Sequence, residues 1–193
     1  MPDAVRPNPM KLLSAFLYRV STGPVAGAGL IIFVLFMALV LPGQSEQARA
    51  VSGGAGSPDM SFVYSPADLY RMAEAYGAGG RLAYVQARFT FDAVFPLVYT
   101  FFLATCITWL CSKALAPASP WLMLNLLPIA GMAFDYAENV TASLVMLRYP
   151  LTTPVIDVAA PALTLIKWCL IGGSMLLLAV LAGMALLRRR RTR

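Results

Sequence analysis

The sequence predicts an all-α fold: an integral membrane bundle of four transmembrane helices, with one short amphipathic helix on the outer side. Composition is the first reason, because 59% of the 193 residues are hydrophobic and only 12% are charged. Such a chain is too apolar for an ordinary soluble domain. The second reason is that four apolar segments reach the roughly 20 residues needed to cross a bilayer. We place these spans at about 24–42, 92–112, 121–147 and 160–187, within one membrane domain covering residues 1–193.

The uneven distribution of basic residues predicts the topology. Four spans put nine Lys and Arg residues on the side of the termini and five on the other side, so the positive-inside rule places both termini in the cytoplasm. The Arg-rich tail at 188–193 follows a span directly, and we interpret it as an anchor against anionic lipid rather than a nucleic-acid contact. The nine are Arg6, Lys11, Arg19, Lys113, Arg188, Arg189, Arg190, Arg191 and Arg193; the five are Arg49, Arg71, Arg81, Arg88 and Arg148.

The first span is predicted to be a retained helix rather than a cleaved signal peptide. Its apolar run is longer than the 7–15 residues or so of a signal peptide and starts after a 23-residue basic segment. An outer loop follows at 43–91 and contains the amphipathic helix at 66–77. Ser65 is a suitable N-cap and Asp68 completes a pattern resembling a capping box. Gly77 is expected to close this helix in a left-handed conformation.

Cofactor and metal binding are not expected. The sequence has no histidine, which removes the commonest transition-metal ligand and the commonest general base. Its three cysteines, Cys106, Cys111 and Cys169, lie in or beside spans without a CxxC pattern, so we interpret them as small apolar residues.

The third and fourth spans carry charges at matching depth. Glu138 lies about nine residues, or roughly 14 Å, from the outer end of span three. Lys167 lies about seven residues, or roughly 10 Å, into span four. Either charge alone would cost at least about 2.5–3.5 kcal/mol in a membrane, so we expect them to pair inside the bundle.

Asp135 needs a different partner, because it lies one turn deeper than Glu138. At that depth it is beyond easy reach of Lys167 if Lys167 already pairs with Glu138. The candidates are Tyr99 of span two, a water molecule, a shared proton or a ligand. Asp92 and Tyr99 are seven residues apart on one face of span two and could line the same cavity from its outer mouth. Asn139 borders the stripe that carries Asp135 and Glu138.

Four ordered motifs, "GAGGRLAY", "FDAVFPLVY", "FDYAEN" and "LIKW", resemble an uncharacterised family of bacterial four-span inner-membrane proteins. The similarity covers roughly residues 65–170. It implies an architecture and a bacterial inner-membrane location, but no chemistry. The residues that it highlights are Arg81, Tyr84, Asp92, Pro96, Tyr99, Asp135, Glu138, Asn139, Lys167 and Trp168.

Three functional hypotheses follow from these patterns. The first is a polar pocket that opens to the outer face and takes a lipid head group or a small amphipathic molecule. The second is a structural or assembly subunit of a larger membrane complex, in which the charges clamp helices together. The third is an enzyme acting on lipid, although no nucleophile–base pair or metal-ligand set supports it. The pocket or clamp is predicted from Asp92, Tyr99, Asp135, Glu138, Asn139 and Lys167, with Arg81 and Tyr84 as candidates for outer-face contacts.

Overall fold

The computed structural model describes residues 8–117 and 119–191. Within these ranges the secondary structure is helical, with no strand, which confirms the all-α class. The predicted tail at 188–193 extends beyond the last described residue, and Arg6 and Arg193 lie outside these ranges. The helices are α1 Pro9–Val20, α2 Gly23–Leu39, α3 Leu41–Val51, a 3-10 turn Pro58–Met60, α4 Pro66–Phe89, α5 Phe91–Ala114, a 3-10 helix Pro120–Leu126, α6 Leu127–Arg148 and α7 Ile156–Arg191.

Two helical segments are long and apolar enough to cross a membrane, Pro66–Ala114 and Ile156–Arg188. The first of them combines α4 and α5. A third is added if α1 and α2, which are bent by 94° at their junction, count as one broken span. With 22 residues α6 is long enough to cross a bilayer at about 1.5 Å per residue, but its central polar residues lower its hydropathy. Length and composition therefore give two or three candidate spans, where the sequence predicted four.

The helices around the predicted outer loop differ most from expectation. The loop contains a helix, α3, that the sequence did not predict. The amphipathic helix begins as predicted, because Ser65 and Asp68 form a reciprocal capping box and Pro66 occupies its first turn. It does not end at Gly77, since α4 resumes beyond this residue and continues to Phe89. Gly77 has φ 61° and ψ 178°, so it interrupts the helix in an extended positive-φ conformation rather than a left-handed helical one.

The bounds of the helices at the predicted spans agree more closely with the sequence. The helix α5, Phe91–Ala114, includes the whole predicted span 92–112 and extends slightly beyond it at both ends. The helix α2 ends at Leu39, three residues before the predicted boundary. The segment predicted as span three begins as the 3-10 helix Pro120–Leu126, and α7 starts at Ile156, before the predicted residue 160.

Apolar side chains form two buried clusters. One packs α4 against the end of α6 and the start of α7, and includes Leu69, Tyr84 and Met146. The other lies along α5 and α7, and includes Leu103 and Leu181. The first cluster lies at the end of the bundle where α3, the segment 52–65 and α4 are located, which we call the loop end.

Small residues and stacked aromatic rings bring the long helices close together. A Cβ atom at Gly29 of α2 would lie 3.2 Å from the Cα atom of Phe102, so the glycine allows α2 to approach the α5 backbone. The rings of Phe33 and Phe102 stack beside it, with centroids 4.7 Å apart. Gly131 plays a similar part between α6 and α7, where an added Cβ would lie 3.3 Å from Ile171 Cγ1. Close approach at small residues is typical of helices that associate in lipid.

The outward faces of α2 and α7 are apolar. On α2, Ile31 is 61% exposed and Val34 52%, and on α7, Leu176 is 67% exposed and Val180 50%. Such continuous exposed apolar surface is unusual for a soluble monomer and is what a lipid-facing helix requires.

Two adjacent glycines of α4 provide a test of how α3 packs on α4. A Cβ at Gly80 would lie 2.6 Å from the Val51 carbonyl oxygen, whereas a Cβ at Gly79 would meet nothing within 4 Å. We expect Gly80→Ala to destabilise the protein by about 1–3 kcal/mol, because the α3 backbone must move. Gly79→Ala should be neutral or stabilising by up to about 1 kcal/mol, through helix propensity alone. Thermal unfolding in detergent would measure both, and equal effects of the two variants would contradict the α3–α4 contact.

Candidate functional site

Lys167 is the centre of a buried polar network between α6 and α7. Its Nζ atom lies 2.5 Å from Glu138 Oε2, the contact that the depth argument predicted. Lys167 is 4% exposed and Glu138 is fully buried, so the two charges are removed from solvent together. The regular rise of two antiparallel helices brings them to the same level. A buried pair of this kind is costly to break, because the remaining charge would have no partner.

Asp135 joins the same network. The Tyr99 hydroxyl of α5 donates to Asp135 Oδ2 at 2.9 Å, and the Asn139 amide lies 3.5 Å from Oδ1. Tyr99 was among the partners considered for this acid. The expectation that Lys167 could not reach Asp135 was wrong, since Lys167 Nζ lies 3.9 Å from Asp135 Oδ1. One ammonium group therefore faces two carboxylates, because the lysine stem extends between two successive turns of α6.

Asp59 and Arg88 form a second charged cluster with Asp92. Arg88 Nη1 lies 2.9 Å from Asp59 Oδ2 and 2.8 Å from Asp92 Oδ2. Arg88 is 7% exposed, so its guanidinium group is buried between the two carboxylates. Asp92 was predicted to share a cavity with Tyr99. In the structure its only ion-pair partner within the described residues is instead Arg88, one turn earlier across the α4–α5 junction.

The two clusters meet at Asp59. Its main-chain carbonyl accepts from Lys167 Nζ at 3.4 Å and from the Trp168 indole nitrogen at 3.0 Å, while its carboxylate faces Arg88. Burial by itself would raise the pKa of the Asp59 carboxyl. The nearby charges of Arg88 and Lys167, together with a hydrogen bond from Ser57, outweigh burial and bring this pKa below its usual value. Asp59 is therefore ionised at neutral pH, with its negative charge at the loop end.

Sequence reasoning missed Asp59 and Arg88 as site residues. Asp59 lies in a turn-rich connection whose path a periodicity argument does not predict. Arg88 was counted only as an outer basic residue. A signal was nevertheless present, because Arg88 and Asp92 are four residues apart, a spacing at which opposite charges face each other on a helix.

A cleft of about 520 Å³ opens beside the second cluster. Its floor includes Asp59, Arg88 and Asp92, and Tyr84 also lines it. Its walls come from α3, the segment 52–60, the second half of α4 and the start of α5. They carry polar side chains, including Gln44, Gln47, Arg49 and Gln86, as well as the apolar side chains of Leu41, Val51, Met60, Phe91 and Phe95.

The predicted pocket is thus divided between two places. Of its residues, Asp92 lines the cleft, as does Tyr84, which was predicted only as a candidate for outer-face contacts. Tyr99, Asp135, Glu138, Asn139 and Lys167 do not line it, but form the adjoining buried network. The two sets were assigned to one pocket because depth along a helix does not show which side chains border an open space.

Arg81 and Tyr84, the candidates for outer-face contacts, both contact other residues of the chain. Arg81 donates to the Ala73 carbonyl at 2.9 Å, and its guanidinium group lies 4.9 Å from the centre of the Tyr149 ring. Tyr84 is 4% exposed, packs edge-on against Tyr76, and has the Arg88 guanidinium group 4.8 Å from its ring centre. Arg81 therefore fastens α4 at its glycine-rich bend, and Tyr84 supports Arg88.

Several buried polar atoms in these clusters have no hydrogen-bond partner within the described part of the chain. They include the Tyr84 hydroxyl and Arg88 Nε beside the cleft, and Glu138 Oε1 and Asn139 Oδ1 in the Lys167 network. Buried polar atoms are normally paired, so those beside the cleft lack the partner that such atoms usually have. Among the described residues, no set of three or more His, Cys, Asp or Glu side chains is arranged to hold a metal ion.

Comparisons with protein-family models, curated proteins and solved structures gave no match for this chain.

The Lys167 network gives a prediction for stability. Lys167→Met should destabilise the folded protein by about 3–5 kcal/mol, because Glu138 and Asp135 would keep buried charge without a cation. Adding Glu138→Gln should restore a large part of that loss, since the double variant removes both members of the closest pair. Chemical or thermal unfolding in detergent would measure the full cycle. Simple addition of the two single losses would mean that the residues do not interact.

Proposed function

We propose that this chain is a four-span protein of the bacterial inner membrane that binds a lipid head group or a small amphipathic molecule in the loop-end cleft. The four spans would be α2, α5, α6 and α7, with α4 and α3 at the outer surface. The observation that carries the proposal is the cleft itself. It combines a deep, buried charge cluster with apolar walls, and it lies where the apolar helices end, so a polar group and an acyl chain would each meet a suitable surface.

The distribution of basic residues supports this orientation. Arg188 donates to the Lys113 carbonyl, which places the ends of α5 and α7 together at the pole opposite the loop end. Tyr18 of α1 bonds to the Leu122 carbonyl near the same pole, so Arg19 also lies on that side. A basic pole next to exposed apolar helices is the arrangement that favours a cytoplasmic location for that pole. The resemblance to four-span inner-membrane proteins is consistent with this proposal.

A second candidate function is that of an assembly subunit of a larger membrane complex. The Lys167 network favours it, because the network joins α5, α6 and α7 through side chains without bordering the cleft. In that role the buried charges would fix the positions of the helices, and the exposed apolar faces of α2 and α7 would contact partner helices. Purification in mild detergent separates the two candidates, since a stoichiometric protein partner favours assembly and co-purified lipid favours the cleft.

Reporter fusions test the proposed topology. We expect fusions after Lys113 and at the C-terminus to fluoresce with a reporter that matures only in the cytoplasm. A fusion near residue 60 should instead be active with a reporter that requires export. The reason is the charge bias, with the strongly basic pole retained inside. The opposite pattern of reporter activity would reverse the orientation, and a cytoplasmic signal from all three positions would exclude four spans.

Two alanines of α3 provide a matched test of the cleft. Ala48 lines the cleft and Ala50, two residues later, does not. We expect Ala48→Trp to abolish lipid retention in native mass spectrometry, because an indole fills space that the ligand would occupy. Ala50→Trp should retain lipid as the wild type does, since residue 50 is exposed. Equal lipid retention by the two variants would place the binding site elsewhere.

A further inference from the structure

We propose that the cleft recognises a phosphoethanolamine head group, with the primary ammonium group against Asp59 and Asp92 and the phosphate at Arg49. This inference rests on the proposed function and adds the chemical class of the ligand. It follows from the difference in exposure between the acidic and the basic residues that line the cleft, from the aromatic residues of the lining, and from a buried hydroxyl that has no hydrogen-bond partner among the described residues.

The floor of the cleft has more carboxylates than cations. Asp59 and Asp92 share a single guanidinium group, that of Arg88, at 2.9 and 2.8 Å. Lys167, the neighbouring buried cation, already faces Glu138 and Asp135. Both side chains at the floor are largely removed from water, since that of Asp59 is 15% exposed and that of Asp92 10%. Two carboxylates beside a single guanidinium group can still attract a second cation, so the floor favours a ligand that brings a positive charge.

The walls near the floor suit an ammonium group. Four aromatic side chains line the cleft, Tyr76, Tyr84, Phe91 and Phe95. Aromatic faces attract ammonium groups, and the attraction increases when water is excluded. The Tyr84 hydroxyl is buried and has no hydrogen-bond partner among the described residues, so its oxygen is free to accept from an N–H group. A primary ammonium group has three N–H donors, so it can donate to a carboxylate and to this hydroxyl at the same time.

The rim of the cleft carries the opposite charge. Arg49 of α3 lines the cleft, is exposed, and forms no ion pair with a described residue. Gln44, Gln47 and Gln86 lie on the same walls and offer further amide donors. Guanidinium groups bind phosphate through paired hydrogen bonds. In a phosphoethanolamine lipid the amine is at the tip and the phosphate is nearer the acyl chains, which matches an acidic floor below a basic rim.

Binding of matched short-chain lipids to the full chain in detergent tests the inference. The probes are dioctanoyl phosphatidylethanolamine and dioctanoyl phosphatidylglycerol, which share the phosphate and the acyl chains and differ in the amine. We expect the ethanolamine lipid to bind at least about tenfold more tightly, the difference that one additional favourable ionic or cation–π contact provides. Asp92→Asn should bring the two affinities close together, because it removes half of the acidic floor.

Arg49→Gln provides a second variant on an exposed residue, which keeps the test informative if Asp92→Asn does not fold. It should weaken the binding of both lipids by a similar factor, since both carry the phosphate. The ratio of the two affinities should therefore stay unchanged. Octylamine serves as the free-amine probe, with octanol as its control. Octylamine binding as tight as that of the ethanolamine lipid would overturn the role of the phosphate and indicate a free amphipathic amine as the ligand.

The remaining outcomes separate this inference from the proposed function. Equal binding of the two lipids, lost in Ala48→Trp, would overturn recognition of the amine while leaving a head-group site in the cleft. Absence of saturable binding by either lipid and by octylamine would overturn both the inference and the proposed function.

Discussion

The contact between Lys167 and the two acids of α6 is the interaction on which the rest of the bundle depends. Apolar contacts contribute little to the association of helices in lipid, because lipid chains are equally apolar. A buried ammonium group opposite Glu138 and Asp135 fixes both the separation and the axial register of α6 and α7. Tyr99 connects α5 to the same point through Asp135. Three long helices therefore share one polar centre, while glycines such as Gly131 permit the close approach that the polar contacts require.

The loop end is organised by the same centre. The Asp59 carbonyl accepts from Lys167 and from Trp168, so the 3-10 turn is attached directly to α7. The Asp59 carboxylate then faces Arg88, which in turn faces Asp92. Because Arg88 belongs to α4, its contact with Asp59 also positions the second half of that helix. The charged groups of the cleft floor are thus held in place by the Lys167 network.

Regular helix geometry explains what the sequence could predict. The bounds of α5 and the meeting of Glu138 with Lys167 follow from apolar length and from a constant rise per residue, which need no knowledge of loops. The capping box at Ser65 is likewise a local pattern, and the structure contains it. Asp59 and Arg88 could not be assigned in this way, because their pairing depends on the path of a connection that contains three positive-φ glycines, Gly53, Gly54 and Gly56. The continuation of α4 beyond Gly77 was missed for a related reason, since a single glycine can interrupt a helix without ending it.

Position beside the cleft, rather than charge, distinguishes the two polar clusters. Each contains two carboxylates and one cation, so formal charge alone gives them the same character. Asp135 and Asp92 are equally exposed, at 7%, but the Lys167 network does not line the cleft, whereas Asp59 and Asp92 do. A structural pair needs only its internal partners, while a binding site needs polar groups that a ligand can reach. The sequence placed Asp92 and Asp135 in one pocket because it fixes their depth but not the free volume beside them. In the structure, that volume is at the level of Arg88, close to the end of the apolar helices.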